Sequence, residues 1–223
     1  MYGQLNANHL AFLLQGALWT VVLSGFAFVG GGIGGFLVAL SRVSDVRPLR
    51  LAVTLYVQLV QGTPLLVLMF LAYFGLAAIG LKLTPLIAAG ASLTIYVSAY
   101  LGEIWRGCIE AVPRPQWEAA ECLALSRTQR MFRVILPQAI RIATPPTVGF
   151  LVQIIKSTSL ASVVGFVELA RSGQIINNSI FEPFVVYLII AAVYFALCYP
   201  ISRLSRRLEG RSRFAPRLRP ATP

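Results

Sequence analysis

The stretch LAFLLQGALWTVVLSGFAFVGGGIGGFLVAL, Leu10 to Leu40, runs for 31 residues without Asp, Glu, Lys or Arg. About 20 helical residues cross the hydrocarbon core of a bilayer, and amides inside it must pair within a helix. The run therefore predicts a membrane-spanning helix. No basic segment precedes it and its apolar part is far longer than a signal peptide's, so it is expected to stay with the protein. Six of its glycines, Gly25, Gly30, Gly31, Gly32, Gly34 and Gly35, are crowded into its second half and are costly in a soluble helix. In a membrane they let another backbone approach closely, so this span is expected to pack inside a bundle or dimer. The competing reading is a flexible, lipid-facing segment.

Working outward, Leu51–Leu81 is a second charge-free run of 31 residues, and Leu83–Gly102 and Pro183–Ser202 supply two of 20. A weaker candidate, Ile142–Val167, is interrupted by Lys156 and contains Pro145, Pro146 and Gly165. The whole chain has 223 residues, 57% hydrophobic and 12% charged, with a mean hydropathy of +0.75. A soluble domain carries about twice that charged fraction. The expected fold is an all-α integral membrane protein with five transmembrane helices, at about 10–40, 51–81, 83–105, 139–164 and 183–204. These form one transmembrane domain, 1–209, with a protruding loop at 111–137 and a flexible basic tail at 210–223.

The net charge is +11, from 19 Lys+Arg and 8 Asp+Glu. Such an excess fits nucleic acid or the basic loops of a membrane protein, and placement decides. Sixteen of the cations fall on one face: Arg42, Arg47 and Arg50 after the first span, six arginines after the third, and seven in the tail. The positive-inside rule puts that face in the cytoplasm. Five spans then leave the amino terminus outside and the carboxyl terminus inside, and nucleic acid is not an expected partner. Cys108, Cys122 and Cys198 have no metal-like or redox-like spacing and read as packing residues. No metal site is expected.

The loop between the third and fourth spans is patterned. In AVPRPQWEAAECLALSRTQRMFRVILPQAIR, Ala111–Arg141, Pro113 and Pro115 suit a helix start. Ser126 with Gln129 has capping-box spacing. A second helix is expected from Arg127 to about Ile135, with a break at Pro137. On spacing alone, Glu118 is equally well read as a solvated first-turn acid favoured by the helix dipole.

Glu118–Arg141 strongly resembles the EAA signature of the membrane-spanning subunits of ABC importers. Glu118, Ala119 and Ala120 match it, as do Ile135, Leu136 and Pro137. The usual glycine is replaced by Ala124, which loses glycine's φ freedom, so a more helical bend is expected there. QGTPLLVLMF from Gln61, SAYLGEIWRGCIEAVP from Ser98, KSTSLASVVGFVEL from Lys156 and FEPF from Phe181 resemble the polar amino-acid permease subfamily, which includes histidine, glutamine and arginine permeases. Ser157 stands where that subfamily usually has Asp or Asn.

The resemblance implies a type I importer fold in which the loop helix couples to a cytoplasmic ATPase. Glu118 would offer charge to the ATPase groove, and Ala119, Ala120 and Ala124 would permit close approach. Ser126, Leu136 and Pro137 complete the coupling loop. It also implies two ATPase subunits, a second permease (the same or homologous), an extracytoplasmic amino-acid-binding protein and the lipid of a bacterial-type inner membrane. The binding protein would meet an outer face carrying Glu168, Arg171 and Glu182, with a polar outer loop at Gly173–Ser179 and charged rim residues steering docking. No P-loop spacing exists in the chain. No cofactor is expected on this chain, and ATP and Mg are expected on the partner ATPase.

For the path through the membrane, ionisable and polar groups within spans are the candidates. They are Gln61 and Thr63 before Pro64, Glu103, and the patch Gln153, Lys156, Ser157, Thr158 and Ser159. Glu103 reads better as an ion-pair partner of Arg106 one turn away. The patch reads equally well as helix–helix hydrogen bonding, and Pro64 as a kink alone. Two other functional classes remain at this level. One is a channel or secondary transporter without ATP coupling, which should use intramembrane acids. The other is a membrane-anchored interaction protein whose Arg-rich tail binds anionic lipid.

Overall fold

The computed structural model describes residues 5–211, all helix and connections. Eight helices are used below: α1 Ala7–Arg42, α2 Arg47–Gly62, α3 Leu65–Ala78, α4 Pro85–Glu110, α5 Arg114–Cys122, α6 Arg127–Val164, α7 Leu169–Ile180 and α8 Pro183–Arg211. Helices α1, α4, α6 and α8 are each long and apolar enough to span a membrane, and α2 with α3 supplies a fifth span if the bent pair counts as one.

Helix α1 is the axis of the packing. Near its start Leu13 and Ala17 meet α7 and α8 through Leu169, Ile176 and Ile190. Midway, Leu23 and Ala27 meet Met69, Leu93 and Ile154. At the arginine-rich end Ala39 packs with Ile109, Ile135 and Ala139. The closest seam is α1 against α4, and the glycines explain it. A Cβ on Gly35 would stand 3.1 Å from Gly102 N and 3.2 Å from Ser98 O, and one on Gly34 would stand 2.9 Å from Ser98 Cβ. A Cβ on Gly31 would overlap Val97. Gly25 meets nothing within 4 Å. The expected inward packing of the first span is observed: Gly31, Gly34 and Gly35 carry it against α4, and Gly16 carries it against Leu169 and Ser172 of α7.

Several boundaries differ from expectation. The second run is not one straight span: α2 and α3 meet at 100°. Thr63 is extended at φ −106°, ψ 126° and Pro64 at φ −56°, ψ 136°. The proline ring drives the residue before it out of the helical region, and proline has no amide with which to close the next turn. The helix expected to stop near Ile135 instead continues, unbroken at Pro137, into the fourth span. A π-helical segment, Arg130–Ile135, immediately precedes it. The widened turn displaces the carbonyl that the ring would strike. The tail does not begin at 210 either: Gly210 and Arg211 still belong to α8, and the rest of that expected tail lies outside the described residues.

Gly173–Ser179 is helix rather than loop. It lies inside α7, whose Leu169, Ser172, Gly173, Ile176 and Ile180 are buried, a helical spacing that makes one inward face. Glu168 is likewise not a rim charge, being 0% exposed. Its carboxylate caps α7, accepting from Ala170 N and Arg171 N, both at 2.9 Å. Tyr194 Oη donates to it at 2.9 Å and Thr20 Oγ1 at 3.5 Å. Thr20 Oγ1 also accepts from Leu169 N at 3.2 Å. The acid joins α1, α7 and α8 at one point, and hydrogen bonds rather than a cation compensate its burial.

Candidate functional site

The break between α2 and α3 opens a cavity of about 300 Å³. Gln61, Gly62, Thr63 and Pro64 form one wall, Tyr96 and Tyr100 of α4 another, and Gln153 and Ser157 of α6 a third. Gln153 and Ser157 reach it together because residues four apart share a helix face. The broken turn also leaves backbone carbonyls that a continuous helix would consume. Tyr96 and Tyr100 lie 4.3 Å apart between ring centroids, and both rings stack on Phe150. A cavity with a few convergent polar groups and an aromatic wall suits a small amphiphilic solute.

Four of the eight candidate path residues therefore converge, namely Gln61, Thr63, Gln153 and Ser157. The other four do not line the cavity. Glu103 is held by Arg106 at 2.5 Å and by Arg42 at 3.4 Å, and Arg42 also contacts Thr54. It thus ties the arginine-rich ends of α1, α2 and α4 together. Lys156 is exposed, and Ser159 Oγ returns its proton to Lys156 O at 2.7 Å. Thr158 is fully buried and donates to Ile155 O at 2.7 Å. The physical reason is angular: successive helical residues turn by about 100°, so a contiguous polar patch cannot face one cavity. Tyr96 and Tyr100 were missed because an aromatic within an apolar run reads as packing. Their hydroxyls, one turn apart, were the available signal.

At the arginine-rich end, α5 and the start of α6 form a hairpin. Ser126 Oγ accepts from Gln129 N at 3.3 Å, and Gln129 Oε1 accepts from Ser126 N at 3.0 Å. The expected capping box is present. Ala124 is not more helical but left-handed, at φ 53°. Leu125 N donates to Ala120 O at 3.3 Å and Ala124 N to Glu121 O at 2.9 Å, the paired bonds of a Schellman ending. The backbone keeps the glycine-type turn and an alanine Cβ occupies it. Arg130 pairs with Glu121 at 3.0 Å, and Arg127 pairs with Asp45 of the α1–α2 loop.

Along α5, Glu118 and Ala119 are exposed while Ala120 is 2% exposed. Ala120 therefore faces its own chain, where α5 packs against the π segment of α6, and is unavailable for close approach by a partner. Leu123, 74% exposed, presents an apolar side chain beside Ala119 that sequence reasoning passed over. Leu136 is half-buried and Pro137 exposed.

A helical membrane bundle with a polar cavity at a broken helix and a capped hairpin at its basic end is the architecture of a transport subunit. The chain belongs to the family of binding-protein-dependent transport system inner membrane components, whose pattern matches residues 31–214. It is a multi-pass inner-membrane permease subunit of the ABC importer class, a transport component and not an enzyme, with ATP hydrolysis in a separate subunit. Relatives from Bacillus subtilis (strain 168) include the L-cystine transport system permease protein TcyB, 36% identical over 89% of this chain and 86% of its own length. The probable glutamine ABC transporter permease protein GlnP of the same organism is 36% identical over 94% and 97%. Among solved structures, an amino acid ABC transporter crystallised with histidines matches with a TM-score of 0.88 and 32% identity, covering 94% of this chain and 100% of that one. The MetNI methionine transporter in an inward-facing conformation, at 18% identity and TM-score 0.69 over 92% and 99%, shares the fold.

Proposed function

We propose that this permease moves a polar amino acid into the cytoplasm through the cavity at the α2–α3 break, driven by a separate ATPase that seats α5. In this reading the amino terminus is outside and the arginine-rich face cytoplasmic, which the bias of cations toward cytoplasmic loops supports. Two ATPase subunits, a second permease and an extracytoplasmic binding protein complete the assembly, with ATP and Mg on the ATPase. The observation that carries the coupling is the hairpin itself. Glu118 and Ala119 project from a nine-residue helix fixed at its far end by the Schellman turn and the Ser126 capping box. A rigid lever with an exposed acid transmits a push, where a flexible loop would absorb it. The cavity residues Gln61, Gln153 and Ser157, with Tyr96 and Tyr100, offer donors and acceptors to ammonium and carboxylate groups. Closing the ATPases would move the paired hairpins and switch the bundle between inward- and outward-facing forms, a rigid-body change biased from a distant site.

The test is amino-acid uptake by proteoliposomes containing the full complex. ATP-dependent uptake is expected to fall at least about tenfold in Glu118→Lys, which sets a cation in place of an interface anion. The protein's thermal midpoint is expected to stay unchanged. Uptake that persists without the ATPase would instead support the channel or secondary-transporter reading.

A further inference from the structure

Two apolar recesses outside the proposed path meet on the face of α1. One, about 310 Å³, lies between α1, α4 and α6 beside Ala39, Ile109 and Ala143. The other, about 520 Å³, follows α1 from Phe28 to Leu37. Phe36 and Trp105 line both. Together they make one strip from Phe28 to Ala39, about 16 Å long at 1.5 Å per helical residue. That length is about half of a 30 Å hydrocarbon core, the depth of a single leaflet. The Trp105 indole is fixed by donating to Thr147 Oγ1 at 2.8 Å, which leaves the ring as apolar wall.

Charge identifies the occupant. At the arginine-rich end of the strip, Arg133 precedes Leu136 by one turn of α6 and Arg141 precedes Thr144 by one turn, and Leu136 and Thr144 line the recess. Both arginines are exposed. Arg42, Arg106, Arg127 and Arg130 have carboxylate partners, whereas among the described residues Arg133 and Arg141 have none. A second copy of the chain seated here would bring the same arginines to the same end, so self-contact is disfavoured and an anion favoured. Basic residues at the mouth of an apolar groove between membrane helices suit a phospholipid headgroup.

We infer that this strip binds one anionic phospholipid, with an acyl chain along α1 past Trp105 and the phosphate held by Arg133 and Arg141. The site is separate from the proposed path and does not depend on which face is cytoplasmic. The test uses the full chain carrying Trp19→Phe and Trp117→Phe, so that Trp105 alone fluoresces, in phosphatidylcholine nanodiscs. Phosphatidylglycerol with brominated acyl chains is expected to quench Trp105 at roughly tenfold lower mole fraction than brominated phosphatidylcholine, given two cations at the headgroup. Arg133→Gln with Arg141→Gln is expected to abolish that preference, and lysine at both positions to retain it. Equal quenching by the two lipids, or a preference that survives the glutamine pair, would overturn the headgroup site. An unquenched Trp105 with either lipid would show this face covered by protein and overturn the proposal as a whole.

Discussion

The α1–α4 seam and the α5–α6 hairpin are both tightly built, by opposite means. In the seam, backbone approaches backbone at Gly31, Gly35 and Gly102, and Gly34 admits the Ser98 side chain. Lipid is as apolar as leucine, so burial supplies little drive between helices there and van der Waals fit must supply it. The hairpin is exposed to water, and α5 has nine residues, below the length at which a helix holds itself. Its order rests on capping bonds and ion pairs added to the packing of Trp117 and Met131 on the cluster around Val112 and Ile135. One region is vulnerable to volume, the other to the loss of single polar atoms.

Gly35→Leu is the harshest test of that contrast. Its side chain would grow into Gly102 N and Ser98 O, backbone atoms that cannot step aside, and overpacking of this kind costs about 3 kcal/mol or more. Loss of monodisperse protein on gel filtration in detergent is the expected result. Gly25→Ala, on the same helix but facing open space, is expected to be neutral or to stabilise by up to about 1 kcal/mol. Equal damage from both would mean that glycine's role here is backbone freedom and not fit.

Glu168 is where the polar logic enters the membrane bundle. Glu168→Ala removes the cap of α7 and orphans Ala170 N, Arg171 N and the Tyr194 hydroxyl. The expected cost is about 2–3 kcal/mol, read from the thermal midpoint in detergent. Tyr194→Phe removes one of those bonds and is expected to cost about 1 kcal/mol.

How far each region was legible follows from the same contrast. Charge-free runs and glycine spacing are one-dimensional signals, so the spans and the inward face of α1 were readable. The Ser126–Gln129 box was equally local. Glu168 was not, because its Thr20 partner lies 148 residues away, and an acid between apolar runs reads as surface. The break at Thr63 was visible only as a kink at Pro64, since hydropathy carries no dihedral angle. Helix α7 was hidden by polar residues on its outer side, though Leu169, Gly173, Ile176 and Ile180 already had helical spacing. Three of the five patch residues, Lys156, Thr158 and Ser159, lie off the cavity because neighbours in sequence point to different sides of a helix.

In the hairpin, Ser126→Ala is expected to cost about 1 kcal/mol through the lost cap. Proteolysis between Leu123 and Arg130 should then accelerate while the bundle's thermal midpoint stays unchanged.

The smallest effect has the opposite sign. Ala124 occupies a left-handed position at φ 53°, where a Cβ crowds the following carbonyl at a cost of about 1–2 kcal/mol. Glycine removes that strain and adds flexibility to the unfolded chain, which offsets about half of the gain. Ala124→Gly is therefore expected to stabilise the hairpin by roughly 0.5–1 kcal/mol, seen as slower amide exchange at Leu125, whose N–H closes the Schellman turn on Ala120 O. Faster exchange would mean that the turn is held by its neighbours, Arg130 on Glu121 and Arg127 on Asp45, and that alanine's stiffness adds to that support. The same substitution separates strain from function. If the lever needs only its shape, ATP-driven uptake is unchanged or improved by glycine. A fall in uptake despite greater stability would show that the stiffer alanine turn carries part of the push.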